Sequence, residues 1–282
     1  MLLQRVITAL VLVALLLGSL LVASPWPFAL LTLALLSAGG WEWGRLNQAT
    51  QLPSLAMGGA VALGGAAALA AGWTTQAPPM LWWGAFVLWL VGGAVALRSG
   101  PAAWPQLPRV ARWLLGLLAL WAAWLALAQA RHVGINFMLS VLCLVWMADV
   151  AAYFGGRALG RRKLAPSISP GKSWEGVWSG VAGVVLLAGF WVWLDGRFDV
   201  DGPSVYSRLL ASLGAPGLAL GVLLLCGLSV VGDLVESLVK RAAGAKDSSR
   251  LLPGHGGVLD RVDALLPVLP AALALTALGA LR

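Results

Sequence analysis

Charge is scarce in this chain. Only 11% of its 282 residues are Asp, Glu, Lys or Arg, against about 25% in a water-soluble domain. That leaves too little polar surface to cover a particle in water, and no segment is polar and long enough to fold as a soluble domain of its own. Histidine and cysteine are scarcer still, with two of each. So few imidazole and thiolate ligands argue against a zinc centre. Cys143 and Cys226 lie inside apolar runs, which fits small buried hydrophobes and not a disulfide framework. The net charge of +8 does not point to nucleic acid. In so apolar a chain it reads as cytoplasmic loops facing anionic lipid headgroups.

What is abundant is apolar: 60% of the residues are hydrophobic and the mean hydropathy is +0.87. They come in runs of about 20, the length that crosses a bilayer as a helix. Nine such runs are read at 5–23, 27–46, 54–72, 80–97, 111–130, 133–155, 175–194, 214–239 and 264–281. The expected fold class is therefore all-α, a polytopic transmembrane helical bundle of about nine spans. The first run ends in "LLVAS", whose small residues resemble a signal-peptide cut. Its apolar stretch is longer than the usual core of such peptides, and the next run follows at once, so it reads as one arm of a retained hairpin.

Lys and Arg set the orientation. With the N-terminus cytoplasmic, Arg5, Arg45, Arg98, Arg109, Arg112, Arg157, Arg161, Arg162, Lys163, Lys172 and the cluster from Lys240 to Arg261 face the cytoplasm. Arg131, Arg197, Arg208 and Arg282 face out. The positive-inside rule favours this arrangement. Residues 1–131 read as scaffold helices, where pairs such as Gly58-Gly59 and Gly64-Gly65 suit close packing. Sixteen tryptophans are spread along the chain, some near span ends, where they anchor at the interface. The chemistry is expected in 132–282 and its cytoplasmic loops.

Two carboxylates sit inside apolar runs, Asp149 in "CLVWMADVAAYFGGR" and Asp233 in "CGLSVVGDLVESLVKR". An ionisable group at membrane depth faces the bundle interior or a water-filled cavity and is a functional candidate; the bland alternative is an ion pair between helices. Asp233, Glu236, Ser237 and Lys240 fall at i, i+3, i+4 and i+7 and form one polar stripe. Asp260 and Asp263 repeat the i, i+3 spacing where the ninth run begins. If the intervening loop folds back, Asp233 approaches Asp260. An oxygen-rich, histidine-poor cluster of this kind suits Mg²⁺.

The loop itself, "KRAAGAKDSSRLLPGHGGVLDRVD", concentrates charge. Glycines in "PGHGG" let backbone N–H groups approach a ligand closely, and Lys240, Arg241, Lys246, Arg250 and Arg261 offer charge-assisted contacts to phosphate. An ordinary turn among ordinary loop cations is the plainer reading for any one of them. A second loop on the same side, "GGRALGRRKLAPSISPGKSWEG", carries Lys172, Ser173 and Glu175. Its Gly-Lys-Ser is not a Walker loop, because the first glycine and the preceding strand are missing. Together these features point to phosphoryl or nucleotidyl chemistry at the cytoplasmic face of a bilayer.

Ser237, Lys240-Arg241, Lys246-Asp247, Ser249, Leu252-Pro253, His255-Gly256-Gly257 and Asp260-Arg261-x-Asp263 match the signature of the phosphatidate cytidylyltransferases, and the chain resembles that family over about 145–267. The upstream "AYFGGRALGRRKLAPSISPGKSWEG" is similar too. Gly171 and Ser173 stand there where the family has a second Lys and a Thr, so no role is carried to position 171. The resemblance implies that CTP and phosphatidic acid give CDP-diacylglycerol and pyrophosphate with Mg²⁺. It implies Asp233 and Asp260 as the metal-binding pair, with K⁺ sharing their site. Lys240, Arg241, Lys246 and His255 to Gly257 would hold the phosphorylated substrates. Lys172, Ser173, Glu175, Ser237, Asp247, Arg261, Asp263 and Asp149 are the further substrate-site candidates. The resemblance also suggests a homodimer, and the Ala-, Leu- and Gly-rich composition suggests a bacterial inner membrane. Rival readings are a CTP-dependent lipid-alcohol kinase and an ion-coupled transporter using Asp149 and Asp233. No repeat of broken helices in two related halves supports the latter.

Overall fold

The computed structural model describes residues 2–278, so positions 279–281 of the ninth predicted run, and Arg282, lie outside the described residues. Helices form at all nine predicted places: α1 (Leu2–Leu21), α2 (Trp26–Leu46), α3 (Gln51–Ala70), α4 (Pro79–Val87) continuing through a π-helical turn into α5 (Gly93–Ser99), α6 (Arg109–Val133), α7 (Ile135–Leu159), α8 (Trp174–Arg197), α9 (Val205–Ala242) and, after the short α10 (Leu259–Val262), α11 (Leu265–Ala277). The all-α expectation holds. Among the described residues, six helices are long and apolar enough to cross a membrane: Gln51–Ala70, Pro79–Ser99, Arg109–Val133, Ile135–Leu159, Trp174–Arg197 and Val205–Ala242.

The other three predicted runs fall short of that. The apolar part of α1 is a shorter stretch, Val6–Leu21, and α2 carries Glu42 and Arg45 in its last turns. With 13 residues, α11 is about 20 Å long against a hydrocarbon layer of about 30 Å. It sits inside the bundle, with every residue from 266 to 275 buried, packed on α4, α6 and α9. The eighth run also begins earlier than read. α9 starts at Val205 on a cap in which the Ser204 side chain accepts from the Ser207 N–H, and it kinks at Gly214 (φ 70°) just before Pro216, where the predicted span had its start.

Two features place the site. First, α7 and α8 pack almost backbone to backbone. A Cβ on Gly176 would lie 2.9 Å from the Ala152 carbonyl, and one on Gly180 2.9 Å from that of Ala148. The four-residue spacing of these glycines puts a flat seam along α8 that lets the helices close. Second, the segment between them, read as a loop, holds an antiparallel hairpin, β1 (Lys163–Ala165) with β2 (Ser169–Ser173), pairing Lys163 with Ser173 and Ala165 with Ser169. Strands of three and five residues, one holding Pro170 and Gly171, carry no alternation that would announce them. The hairpin docks on the end of α9, where Arg241 Nε donates to the Ile168 carbonyl at 3.2 Å.

Candidate functional site

The stripe on α9 forms as its spacing implies. From β2, Lys172 reaches the carboxylate of Asp233, and the Ser237 hydroxyl lies 3.4 Å from Asp233 Oδ1. One turn lower, Lys240 Nζ stands 2.5 Å from Glu236 Oε2 and 2.6 Å from Asp260 Oδ1. The turn between α10 and α11 brings Asp263 into the same group. Gly232, beside Asp233, packs so closely on the Asp263 carbonyl that a Cβ there would lie 2.4 Å from it. Asp263 Oδ1 itself accepts from the Ala264 N–H at 2.8 Å.

Asp260 is surrounded by donors. Its Oδ2 accepts from Gly257 N (2.7 Å), Ser248 N (2.9 Å) and Ser248 Oγ (2.8 Å), while Oδ1 meets Lys240. Burial raises its pKa, but the Lys240 ammonium and the Gly257 and Ser248 donors outweigh burial and hold the carboxyl at about 2, so it is ionised at neutral pH. The loop between Ala243 and Val258 is thereby tied to the start of α10.

A residue that sequence reading missed completes this arrangement. Glu42, on α2, is fully buried. It accepts from Ser249 Oγ (2.6 Å), Ser248 Oγ (3.2 Å), Val258 N (2.9 Å) and Leu259 N (2.8 Å). The "PGHGG" glycines find their reason here. A Cβ on Gly257 would lie 2.0 Å from Ser248 Oγ and 2.3 Å from Glu42 Oε1, and one on Gly256 (φ +86°) 2.6 Å from Asp260 Oδ2. The space that glycine leaves is filled by the protein's own carboxylates, and the Gly257 and Val258 N–H groups already have partners. In this structure the Gly257 N–H is turned to Asp260 and the Val258 N–H to Glu42.

The remaining predicted residues divide. Asp149, Lys172, Ser173 and Asp233 line one cavity of about 490 Å³ between α7, α8, α9 and β2, together with Tyr153, Arg157 and Ser169. Ser173 is buried and caps α8, accepting from Gly176 N at 3.2 Å. Glu175 is used locally, accepting from the Arg161 and Arg162 N–H groups (3.0 and 3.1 Å) and from Arg162 Nε (3.2 Å). Arg261 donates twice to the His255 carbonyl (3.1 and 2.6 Å), bracing the loop from outside. His255 is half-buried, and its Nδ1 has no partner among the described residues. Lys246 and Asp247 are exposed on the loop and do not join the inner cluster.

As ligands for a metal these residues fit in kind: carboxylate and hydroxyl oxygens, the donors of a hard cation. Among the described residues, no group of three or more His, Cys, Asp or Glu could hold an ion by itself. Asp233 keeps 26% of its side chain exposed. Asp260 Oδ1 bears only Lys240, which has a second partner in Glu236. Each of the two carboxylates thus has an oxygen whose present partner is a lysine and not the backbone.

Fold and site define an enzyme class: a multi-pass membrane protein with acidic and basic side chains gathered at one end of a helical bundle, beside a cavity wide enough for a phosphorylated substrate. The profile of the cytidylyltransferase family matches residues 3–278. The phosphatidate cytidylyltransferase of Pseudomonas aeruginosa is 39% identical over 98% of this chain and 97% of its own. That of Haemophilus influenzae is 33% identical over 96% of both. That of Brucella suis is 47% identical over 133 residues, 47% of this chain and 44% of its own. The chain belongs to the cytidylyltransferase family and transfers a nucleotidyl group.

Proposed function

We propose that this protein is a Mg²⁺-dependent phosphatidate cytidylyltransferase of a bacterial inner membrane, making CDP-diacylglycerol for phospholipid biosynthesis. The observation that carries the reading is the pair of lysine-bound aspartates, Asp233 with Lys172 and Asp260 with Lys240, one facing the cavity and the other holding the loop. The phosphate monoester of phosphatidic acid has a second pKa near 6 and is largely dianionic at neutral pH. One of its oxygens attacks the α-phosphorus of CTP, the α–β bridging P–O bond breaks, and pyrophosphate leaves with that electron pair. No proton need be removed, so no strong general base is required.

The difficulty is bringing two anions together. Lys172 and Arg157 present positive charge to the cavity, and Lys240 and Arg241 extend it down α9. Asp233 and Asp260 Oδ1 would hold Mg²⁺, with K⁺ beside it, once their lysines turn to substrate phosphate. Bound there, Mg²⁺ would neutralise charge on the phosphoryl oxygens. Orientation of substrate is assigned to His255, Lys246, Asp247 and Ser237 on the resemblance of their loop and helix end to the family. The nine-span, N-terminus-inside arrangement is supported by the distribution of Lys and Arg. The division into framing helices (1–131) and a catalytic region (132–282) is supported by the lining of the cavity. Assembly as a homodimer rests on family resemblance alone.

The test uses purified protein in mixed lipid–detergent micelles with radiolabelled CTP, phosphatidic acid and Mg²⁺. Labelled CDP-lipid from the wild type and none from Asp260→Asn is expected. Equal activity in both would discard Asp260 as a metal ligand, and no product from folded wild type would discard the reaction.

A further inference from the structure

Resting on the cytidylyltransferase reading above, we propose that Glu42 is a positioning residue of the reaction: its buried carboxylate clamps the middle of the loop 243–258 to the loop's C-terminal end and, through Ser248, sets Asp260 against Lys240. Glu42 lies between Trp41 and Trp43 on α2, in the half of the chain that otherwise reads as scaffold. A carboxylate without exposed surface is costly unless its lone pairs are met. Among the described residues no Lys or Arg forms an ion pair with it. Its partners are four donors of the C-terminal region, 206 to 217 residues away. Two come from Ser248 and Ser249, and two from the backbone where the loop re-enters helix. The helix therefore commits a buried charge to one purpose, holding that loop.

The link to the reacting centre runs through one hydroxyl. Ser248 Oγ lies 3.2 Å from Glu42 Oε2 and 2.8 Å from Asp260 Oδ2. It has a single proton to share, so a change in how Glu42 holds it alters what Asp260 receives. On the far side Asp260 Oδ1 meets Lys240. Gly257 is enclosed between Glu42 and Ser248, which leaves the loop no slack for an alternative seat. Thr8 of α1 also donates to the Pro253 carbonyl at 3.1 Å, so a second N-terminal helix touches the same loop. Glu42 would not meet substrate; it acts by keeping Asp260 and Lys240 in register.

Three variants of the full-length protein in detergent, Glu42→Gln, Glu42→Asp and Asp195→Ala, decide it. For Glu42→Gln the expected result is a kcat lower by about 10- to 100-fold, as for a misplacement of an ångström or so. KM for CTP and phosphatidate should stay within about threefold, because substrate contacts remain. Tryptic cleavage after Lys246 or Arg250, followed by fragment mass, should quicken by about tenfold as the loop opens. Glu42→Asp should recover part of both losses. Asp195→Ala, at the far end of the bundle, should lower the melting temperature while leaving kcat and loop cleavage at wild-type values. Wild-type kcat and cleavage in Glu42→Gln would overturn the proposal, as would a loss of rate that only tracks loss of folded protein. If Glu42→Gln does not fold, Ser249→Ala removes one donor from the loop side. About two- to fivefold lower kcat with faster cleavage is then expected, and unchanged values overturn the proposal. Wild type that makes no CDP-lipid would sink the functional reading, while the cleavage rates would still judge the clamp.

Discussion

Carboxylates stand at both ends of the bundle, on α8, on α9, on α10 and in the segment between α8 and α9, and the two ends satisfy them differently. At the end away from the site, Asp195 accepts from Asn136 Nδ2 (2.8 Å), Ser204 N (2.9 Å) and Ser207 Oγ (2.6 Å), while Asp201 accepts from the Ile135 and Asn136 N–H groups at the start of α7. Asn136 closes the knot by accepting from Trp191 Nε1 at 2.9 Å. These donors are backbone amides and short side chains that have nowhere else to go. At the other end Asp233 and one oxygen of Asp260 are met by Lys172 and Lys240, long flexible side chains whose ammonium groups can pivot to another anion. One end is wholly fastened; at the other, each aspartate keeps one oxygen on a partner that can be exchanged. Chemistry is expected where the partners can leave.

The largest test of that contrast is Asp233→Asn, which removes the cavity-facing carboxylate. Turnover should fall by at least about a thousandfold with the protein still folded, measured as CDP-lipid formed per mole of monodisperse enzyme. Activity near wild type would mean that Asp233 is merely the partner of Lys172. Next comes Lys240→Met, which strands Glu236 and Asp260. We expect about a hundredfold lower kcat and destabilisation of about 3–5 kcal/mol before discount for partial exposure, read from thermal unfolding. Asp195→Ala sharpens the comparison from the fastened end, with a stability loss of about 1–3 kcal/mol and no change in kcat per folded molecule. The smallest effect is expected at His255. Its carbonyl is braced by Arg261 and the attacking phosphate needs no base, so His255→Gln should lower kcat by less than about tenfold. A loss of several orders of magnitude with intact substrate binding would show that His255 moves a proton after all.

Much of this was legible before any coordinates. Helices form at all nine apolar runs, and for the six long enough to cross a membrane their length and composition leave no alternative in a bilayer; the stripe from Asp233 to Lys240 follows from helical periodicity. Glu42 was not legible as a site residue. It was visible as a charge in the second apolar run, but nothing within a few turns on α2 explains it, because its partners lie more than 200 residues on. The hairpin was hidden by strands too short to show a period. The glycines of "PGHGG" were read correctly as places of close approach, yet the approaching groups are Glu42 and Asp260, which only tertiary contact reveals. Ser173 and Glu175 look like binding residues by position; in the structure Ser173 lines the cavity and caps α8, and Glu175 accepts from the turn at Arg161 and Arg162.

The glycine seam between α7 and α8 bears on how the enzyme must breathe. Two helices whose backbones already touch can neither approach further nor part without opening a long void, so that side of the cavity behaves as a fixed rail. Changes of width as lipid enters and product departs then fall to the opposite side, where α9 carries a kink at Gly214 and the hairpin is held to α9 by Arg241 and by the exchangeable contact of Lys172 with Asp233. Traffic through the membrane face would then turn on two posts, one of them a lysine that an arriving anion can draw away.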